Sequence, residues 1–299
     1  MIKKKAAGDT PSPTTRRKRR IRIISIATAL MGCAFTVLSL ASFPLRITEY
    51  TVYSPDVTRE YRIVQVSDLH NSRYGKDMKT LTDAVAKAQP DIVVLTGDML
   101  DNAILSDEDT IEENTYTFCR AMSAYPCFSV AGNHEFRRPE KYYPFREEME
   151  EYGIVFLENR SVVYDELCIT GFSQCEGSEQ IDAYFLPCVA NFDAAPLRDN
   201  GRCNVLISHY PGFIDLYRSF GVFDLVLCGH THGGQWRIPG KKEGLFGPGA
   251  TFFPEYSGGD YYFDDCTMLV SKGLSRDRSA IPRIFNNPEL VVIHILPES

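Results

Sequence analysis

The chain has 299 residues, 44% hydrophobic and 24% charged, with a formal net charge of -7. That balance excludes a disordered or coiled-coil chain and leaves room for one large core. Residues 1–22 carry nine Lys/Arg against Asp9 alone, so the remainder holds 23 basic and 38 acidic residues, an acidic body that disfavours nucleic acid as a partner.

The amino-terminal arm "TRRKRRIR" is followed by 23 uncharged positions, residues 23–45. A bilayer core needs about 20 apolar residues, so this stretch is long enough to span. The spacing predicts a basic cytoplasmic arm over 1–22 and a transmembrane anchor over 23–45. A single catalytic domain over 47–299 follows, held outside the cytoplasm of a single-pass cell-membrane protein. A cleaved or twin-arginine signal, with "SLAS" as a weak cleavage site, is the alternative.

Beyond Arg46, strand-like and helix-like segments alternate. "YRIVQVSD" (61–68) reads as a strand, "DMKTLTDAVAKAQ" (77–89) sets Leu81, Ala84, Val85 and Ala88 at helical spacing, and "DIVVLTGD" (91–98) reads as a second strand. A helical stretch around Ile111, Thr115, Phe118, Cys119 and Met122 precedes the strand-like "CFSVAGN", and later strands end at "VLISH" and "LVLCGH". This alternation predicts an α/β protein with a largely parallel centre. Of nine cysteines, Cys168, Cys203, Cys228 and Cys266 lie in short apolar runs and read as buried free thiols, with disulfides among the cysteines as the other reading. No CxxC pair supports a zinc ribbon or redox motif.

Polar residues gather at the strand ends. Asp68 and His70 come from "SDLH", Asp98 from "TGDMLD", Asn133 and His134 from "AGNHE", His209 from "ISHYP", and His230 and His232 from "GHTHGGQ". Five of the six histidines directly follow a hydrophobic strand; the sixth, His294, sits within the terminal strand "LVVIHIL" and reads as structural. In open α/β sheets ligands bind beyond the carboxyl ends of the strands, so these separated residues are expected to converge. Imidazole and carboxylate donors suit Mn, Zn or Fe, and their number exceeds what one ion takes, which implies two divalent ions. His230 and His232 share a target only from a loop or extended backbone, because residues i and i+2 diverge on a helix. By the same reasoning Asn133 and His134, as neighbours on an extended backbone, face opposite sides, so only one of them is expected as a ligand.

In this order the motifs "DLH", "GDMLD", "GNHE", "SHYP" and "GHTH" resemble those of the calcineurin-like metallophosphoesterases, over residues 61–235. "GHTHGGQ" and the tail "IPRIFNNPELVVI" resemble the membrane-associated YkuE/YaeI-type branch. The resemblance implies a two-sheet β-sandwich flanked by helices, preceded here by the transmembrane helix. It gives one ion Asp68, His70 and His232, the other Asn133, His209 and His230, with Asp98 bridging. The implied activity is hydrolysis of phosphodiesters or phosphomonoesters, including lipid-linked phosphates or pyrophosphates, by a bridging hydroxide. His134 is the implied proton donor; Asp101 reads either as a carboxylate that orients His134 or another ring, or as a structural turn residue. Another dinuclear metallohydrolase, or a membrane-tethered metal-binding protein without turnover, are the alternatives. Many members carry Arg where Asn102 stands here, which leaves any substrate contact at that position unassigned. The loop "GGQWRIPGKKEGLFGPGATFFPEYSGG" (233–259), with the only tryptophan, reads either as a rim for a lipid head group or as a loop whose aromatics pack inward.

Overall fold

The computed structural model describes residues 13–41, 44–101, 109–173, 181–247, 251–276 and 282–298, so Asn102 lies outside the described residues. The chain forms two compact units, Met1–Ala41 and Ser42–Ser299. The first holds helix α1 (Pro13–Ala41), in which Arg16–Val37 is long and apolar enough to cross a membrane. The helix takes in the basic residues from Arg16 to Arg22 and ends at Ala41, four residues before the end of the predicted span.

The second unit is built on two mixed six-stranded sheets. The first contains β1 (Arg46–Ser54), β2 (Tyr61–Val66), β3 (Ile92–Thr96), β4 (Cys127–Val130), β5 (Ile154–Phe156) and β12 (Glu289–Pro297) in the order β1-β12-β2-β3-β4-β5. The second contains β6 (Arg160–Tyr164), β7 (Leu167–Phe172), β8 (Cys203–Ser208), β9 (Leu225–Cys228), β10 (Gly259–Tyr262) and β11 (Thr267–Val270) in the order β10-β11-β9-β8-β7-β6. Strands β2 to β5 run parallel, as do β7, β8, β9 and β11, which is the parallel centre the alternation predicts.

Both faces of each central strand are buried, so these strands read as continuous apolar runs instead of alternating ones. Ile92 and Val94 point between the sheets, against Ile169, Ile207 and Leu227, while Val93 and Leu95 point outward into a helical layer. That layer is formed by α2 (Lys79–Ala88), α3 (Asp109–Met122) and α5 (Pro139–Glu151), through Leu81, Val85, Phe118, Met122, Phe145 and Met149. The described side chains of the predicted α3 stripe, Thr115, Phe118, Cys119 and Met122, are buried as its spacing requires; that of Ile111 lies outside the description. On the other side, α6 (Ile181–Ala190) and α7 (Ile214–Ser219) cover the second sheet with an aromatic cluster around Phe172, Phe185, Tyr217 and Phe223. The two-sheet sandwich flanked by helices is therefore the observed fold.

The four cysteines read as core thiols, Cys168, Cys203, Cys228 and Cys266, are free and buried. Cys188 is disulfide-bonded, so the two readings of the cysteines hold for different members of the set.

Candidate metal centre

The polypeptide leaves the parallel strands through left-handed backbone. Asp68, His70, Asp98, His230 and His232 all have φ between 47° and 73°, although none is glycine. Each such residue costs on the order of 1–3 kcal/mol and persists only where its surroundings over-determine it. Here the strand-end loops brace one another. The amide of His70 donates to the Asp98 carbonyl at 3.1 Å, that of His134 to Asp98 Oδ1 at 2.9 Å, and that of His230 to the Asp68 carboxylate at 3.0 Å.

These turns carry the side chains of both sheets to one point. Asp98 Oδ2, from the loop after β3, lies 3.2 Å from His209 Nε2, 3.6 Å from His70 Nε2 and 3.9 Å from His134 Nε2. Among the described residues, metal-type donors fall into three groups whose atoms lie within 4.8 Å of one another: Asp68, His70 and His232; His70, Asp98 and His134; and Asp98, His209 and His230. Asn133 is buried beside them and opens helix α4 (Asn133–Arg137). The structure thus brings together six of the seven expected ligands and His134, with Asn133 next to His134 in the chain. The expectation that Asn133 and His134 sit on extended backbone is corrected: both belong to the first turn of α4, where neighbouring side chains are not opposed, and His134 groups with His70 and Asp98. His294 is elsewhere, on β12, with Nδ1 2.8 Å from Glu60.

The ring nitrogens fix what the centre needs. His209 Nδ1 lies 2.9 Å from the Thr96 carbonyl, which can only accept, so that nitrogen carries the hydrogen. In a neutral ring Nε2 then holds a lone pair, and it faces His230 Nδ1 at 3.1 Å as well as Asp98 Oδ2. His209 Nε2 and Asp98 Oδ2 are both acceptors, and His230 Nδ1 joins them as donor or acceptor according to its tautomer, so the pair repels unless a proton or a cation intervenes. With a proton, burial lowers the affinity of His209 but the Asp98 and Asp68 charges prevail and raise it to about 9. Burial and the charge of His209 then depress His230 to about 3. Asp98 is buried, which opposes ionisation, yet the imidazoles of His209, His134 and His70 hold it well below the usual carboxylate range. A divalent cation satisfies the same donors without protonating any of them. Two further donors are orphans: His70 Nε2 and Asn133 Oδ1 are buried with no hydrogen-bond partner. Leaving such atoms unsatisfied costs about 1–3 kcal/mol each. The residues present therefore fit a metal centre.

A supporting layer escaped the sequence reading. Glu135 is buried and accepts the amides of Asp98 at 2.9 Å, Leu100 at 3.0 Å and Gly132 at 2.8 Å, so it shapes the Asp98 loop. Burial pushes its carboxyl up despite these bonds. Asn286 donates to the carbonyls of His232 at 2.7 Å and Gln235 at 3.1 Å, and the buried Arg283 donates to those of Ser275 and Lys272 at 2.7 and 2.8 Å. Ser275 Oγ in turn meets His232 Nδ1 at 3.1 Å, which leaves Nε2 facing Asp68. The acid at the fourth position of "GNHE" was the available signal for Glu135; nothing in the sequence ties Arg283 and Asn286 to the His232 turn. Asp101 faces His134 Nδ1 at 3.3 Å and His70 Nδ1 at 3.8 Å.

The sandwich and the histidine–aspartate cluster at its strand ends define a metal-binding α/β protein. The chain belongs to the calcineurin-like phosphoesterases, whose family model matches residues 61–234. It is 29% identical over 194 residues to phosphodiesterase YaeI of Escherichia coli K12, spanning 62% of this chain and 65% of that protein. To the uncharacterized metallophosphoesterase YkuE of Bacillus subtilis 168 it is 27% identical over 259 residues, 83% of this chain and 84% of the relative. A shorter match, 34% over 77 residues, covers 25% of this chain and 22% of UDP-2,3-diacylglucosamine pyrophosphatase LpxG of Chlamydia trachomatis serovar D.

Close approach at Gly229 gives a test of the centre. A Cβ there would stand 2.5 Å from Asp68 Oδ2 and closer still to Ser67 Oγ, whereas one on Gly212 would meet nothing within 4 Å. Gly229→Ala is expected to weaken metal binding about 10- to 100-fold, the scale of a disturbed outer-shell contact, with Gly212→Ala matching wild type in a metal titration. Equal affinities for the two variants would contradict a ligand role for Asp68.

Proposed function

We propose that this protein is a phosphoesterase working with two divalent metal ions. Asp68, His70 and His232 would hold one ion and Asn133, His209 and His230 the other, with Asp98 available to both. The observation that carries this reading is the convergence of His209 Nε2, His230 Nδ1 and Asp98 Oδ2, within 3.1–3.2 Å along its two measured edges, beside the orphaned donors of His70 and Asn133. The mixed imidazole and carboxylate set suits Mn, Zn or Fe. When bound, such ions neutralise phosphoryl oxygens and bring the pKa of a bound water from ~15.7 towards 7.

The chain's own groups supply position and a proton. His209 is fixed by its bond to the Thr96 carbonyl and His232 by Ser275, so each presents Nε2 to the centre. His134 is held at the mouth of the cluster, partly open to solvent, with Nε2 turned towards Asp98 and Nδ1 towards Asp101. The Asp101 carboxylate is kept ionised: burial opposes this, but its contacts with His134 and His70 prevail and hold it far below the usual carboxylate range. A carboxylate in that position compensates the charge of a His134 imidazolium, leaving its Nε2 hydrogen for the departing ester oxygen. Phosphodiesters, the class named for YaeI, and phosphomonoesters are the candidate substrates, with lipid-linked phosphates favoured by the apolar helix that precedes the domain.

The same helix carries a proposal on location. Its Lys/Arg-rich start is a cytoplasmic signal, and the disulfide at Cys188 is in keeping with an oxidising compartment, so the domain is assigned to the outer side of the membrane. Protease added to intact cells is expected to digest the domain while carbonate washing leaves the full-length chain in the membrane fraction; a protected domain would reverse the orientation.

His134→Ala tests the chemistry. The variant is expected to keep its metal and to lose roughly 10²- to 10⁴-fold in turnover of alkyl esters, the usual contribution of a positioned acid. The loss should be much smaller for p-nitrophenyl esters, whose leaving group needs little protonation. Loss of metal, or equal slowing of both substrates, would make His134 a ligand or binding residue instead.

A further inference from the structure

The loop after the last histidine divides its aromatic residues between two tasks. Trp236 packs inward: its Nε1 donates to the Pro282 carbonyl at 3.0 Å and its ring stands edge-on to Phe246 at 5.1 Å. Phe246 in turn meets Phe252 at 5.1 Å. Beyond this stack the apolar surface opens outward. Phe252 and Phe253 are each 66% exposed, Ile238 is 51% exposed and Phe285 49%. Backbone bridges join the segments that carry them, Trp236 to Ile284, Arg237 to Gly244 and Phe246 to Phe252, so the four belong to one small sheet-like platform. Phe253 and Phe285 have φ of 53° and 52°, conformations that bulky side chains rarely adopt, and both are nonetheless held outward.

The platform grows out of the metal centre. Asn286, next to Phe285, carries the bond to the His232 carbonyl, and the loop starts at Gly233 and Gly234 directly after that ligand. Its charge also differs from that of the body. Over residues 236–260 Arg237, Lys241 and Lys242 offset Glu243, Glu255 and Asp260. Lys242 is paired with Asp260 and Arg237 is bonded to the Gly233 and Ser257 carbonyls, which leaves Lys241 exposed beside Ile238 on the same turn, where its amide donates to the Ile238 carbonyl. Exposed aromatic and aliphatic side chains bordered by lysine form the surface that settles at the boundary between headgroups and acyl chains.

We infer that the platform of Ile238, Phe252, Phe253 and Phe285 is a membrane-contact surface, which seats the rim of the metal centre on a bilayer carrying anionic headgroups. A bilayer is the occupant that the chain itself brings near. Only residues 42–45 separate helix α1, long and apolar enough to cross a membrane, from β1. The surface does not depend on catalysis, so its test is independent of the phosphoesterase reading.

Trp236 is the only tryptophan in the chain and reports on the platform without any label. The full-length protein is reconstituted into phosphatidylglycerol vesicles with plain or brominated acyl chains, and Trp236 emission is compared. Bromine is expected to quench the wild type. The variant Ile238→Ser/Phe253→Ser leaves the Trp236, Phe246 and Phe252 stack in place and should show the emission of plain vesicles, with its emission in detergent unchanged. Brominated phosphatidylcholine is expected to quench less than brominated phosphatidylglycerol. Identical wild-type emission in plain and brominated vesicles, or full quenching of the double variant, would overturn the membrane contact. Equal quenching by the two lipids would overturn the anionic preference.

Discussion

The acceptors His209 Nε2 and Asp98 Oδ2, facing each other inside the protein beside His230 Nδ1, form the constraint around which this molecule is arranged. Asp98, Asp68 and His209 are at most 1% exposed, so bulk solvent does not relieve the repulsion among donors. A proton or a cation must stand among them. A proton on His209 is the weaker solution, because it serves one edge of the cluster and leaves His70 Nε2 and Asn133 Oδ1 without partners. Divalent metal at the cluster gives these donors a partner without protonating any of them.

Such a cluster survives folding only if both sheets arrive in fixed register. Asp68, Asp98 and Asn133 come from the first sheet and His209, His230 and His232 from the second, so any sliding of one sheet over the other would separate the donors. The dry layer between the sheets, with Ile63, Ile92 and Val94 facing Ile169, Ile207 and Leu227, resists that movement through close packing. Polar ties reinforce it at the site itself: Gln65 donates to the Cys228 carbonyl at 2.8 Å and to Thr96 Oγ1 at 3.1 Å, linking β2 to β9 and β3. The left-handed turns at Asp68, Asp98 and His230 are then held by sheet register and by one another's amides, which is how several strained residues persist side by side.

Much of this was legible in the sequence because burial on both faces leaves strands as unbroken apolar runs that end abruptly in Asp, Asn or His. The runs "YRIVQV", "DIVVLT" and "LVLC" mark β2, β3 and β9 closely, and the residues after them are the ones that meet. The local backbone at those ends was not legible. Asn133 reads as the end of an extended segment but starts a helix, since the fold turns directly from β4 into α4 and Glu135 reaches back to cap the Gly132 amide. Arg283 and Asn286 were invisible for another reason: both donate to the His232 carbonyl from about 50 residues further along, and no local pattern encodes a contact of that range. The loop at 233–259 defeated a choice between inward and outward because it does both, with Trp236 turned in and Phe252 and Phe253 turned out.

Everything in this account turns on Asp98 serving two ions at once. The direct measurement is the number of metal equivalents per chain by elemental analysis, with the spin coupling of the manganese-loaded protein, for wild type and Asp98→Asn. The account predicts two equivalents and an exchange-coupled signal in the wild type, and fewer than two equivalents with no coupling in Asp98→Asn. One equivalent in the wild type, or two coupled ions retained in the variant, would contradict it.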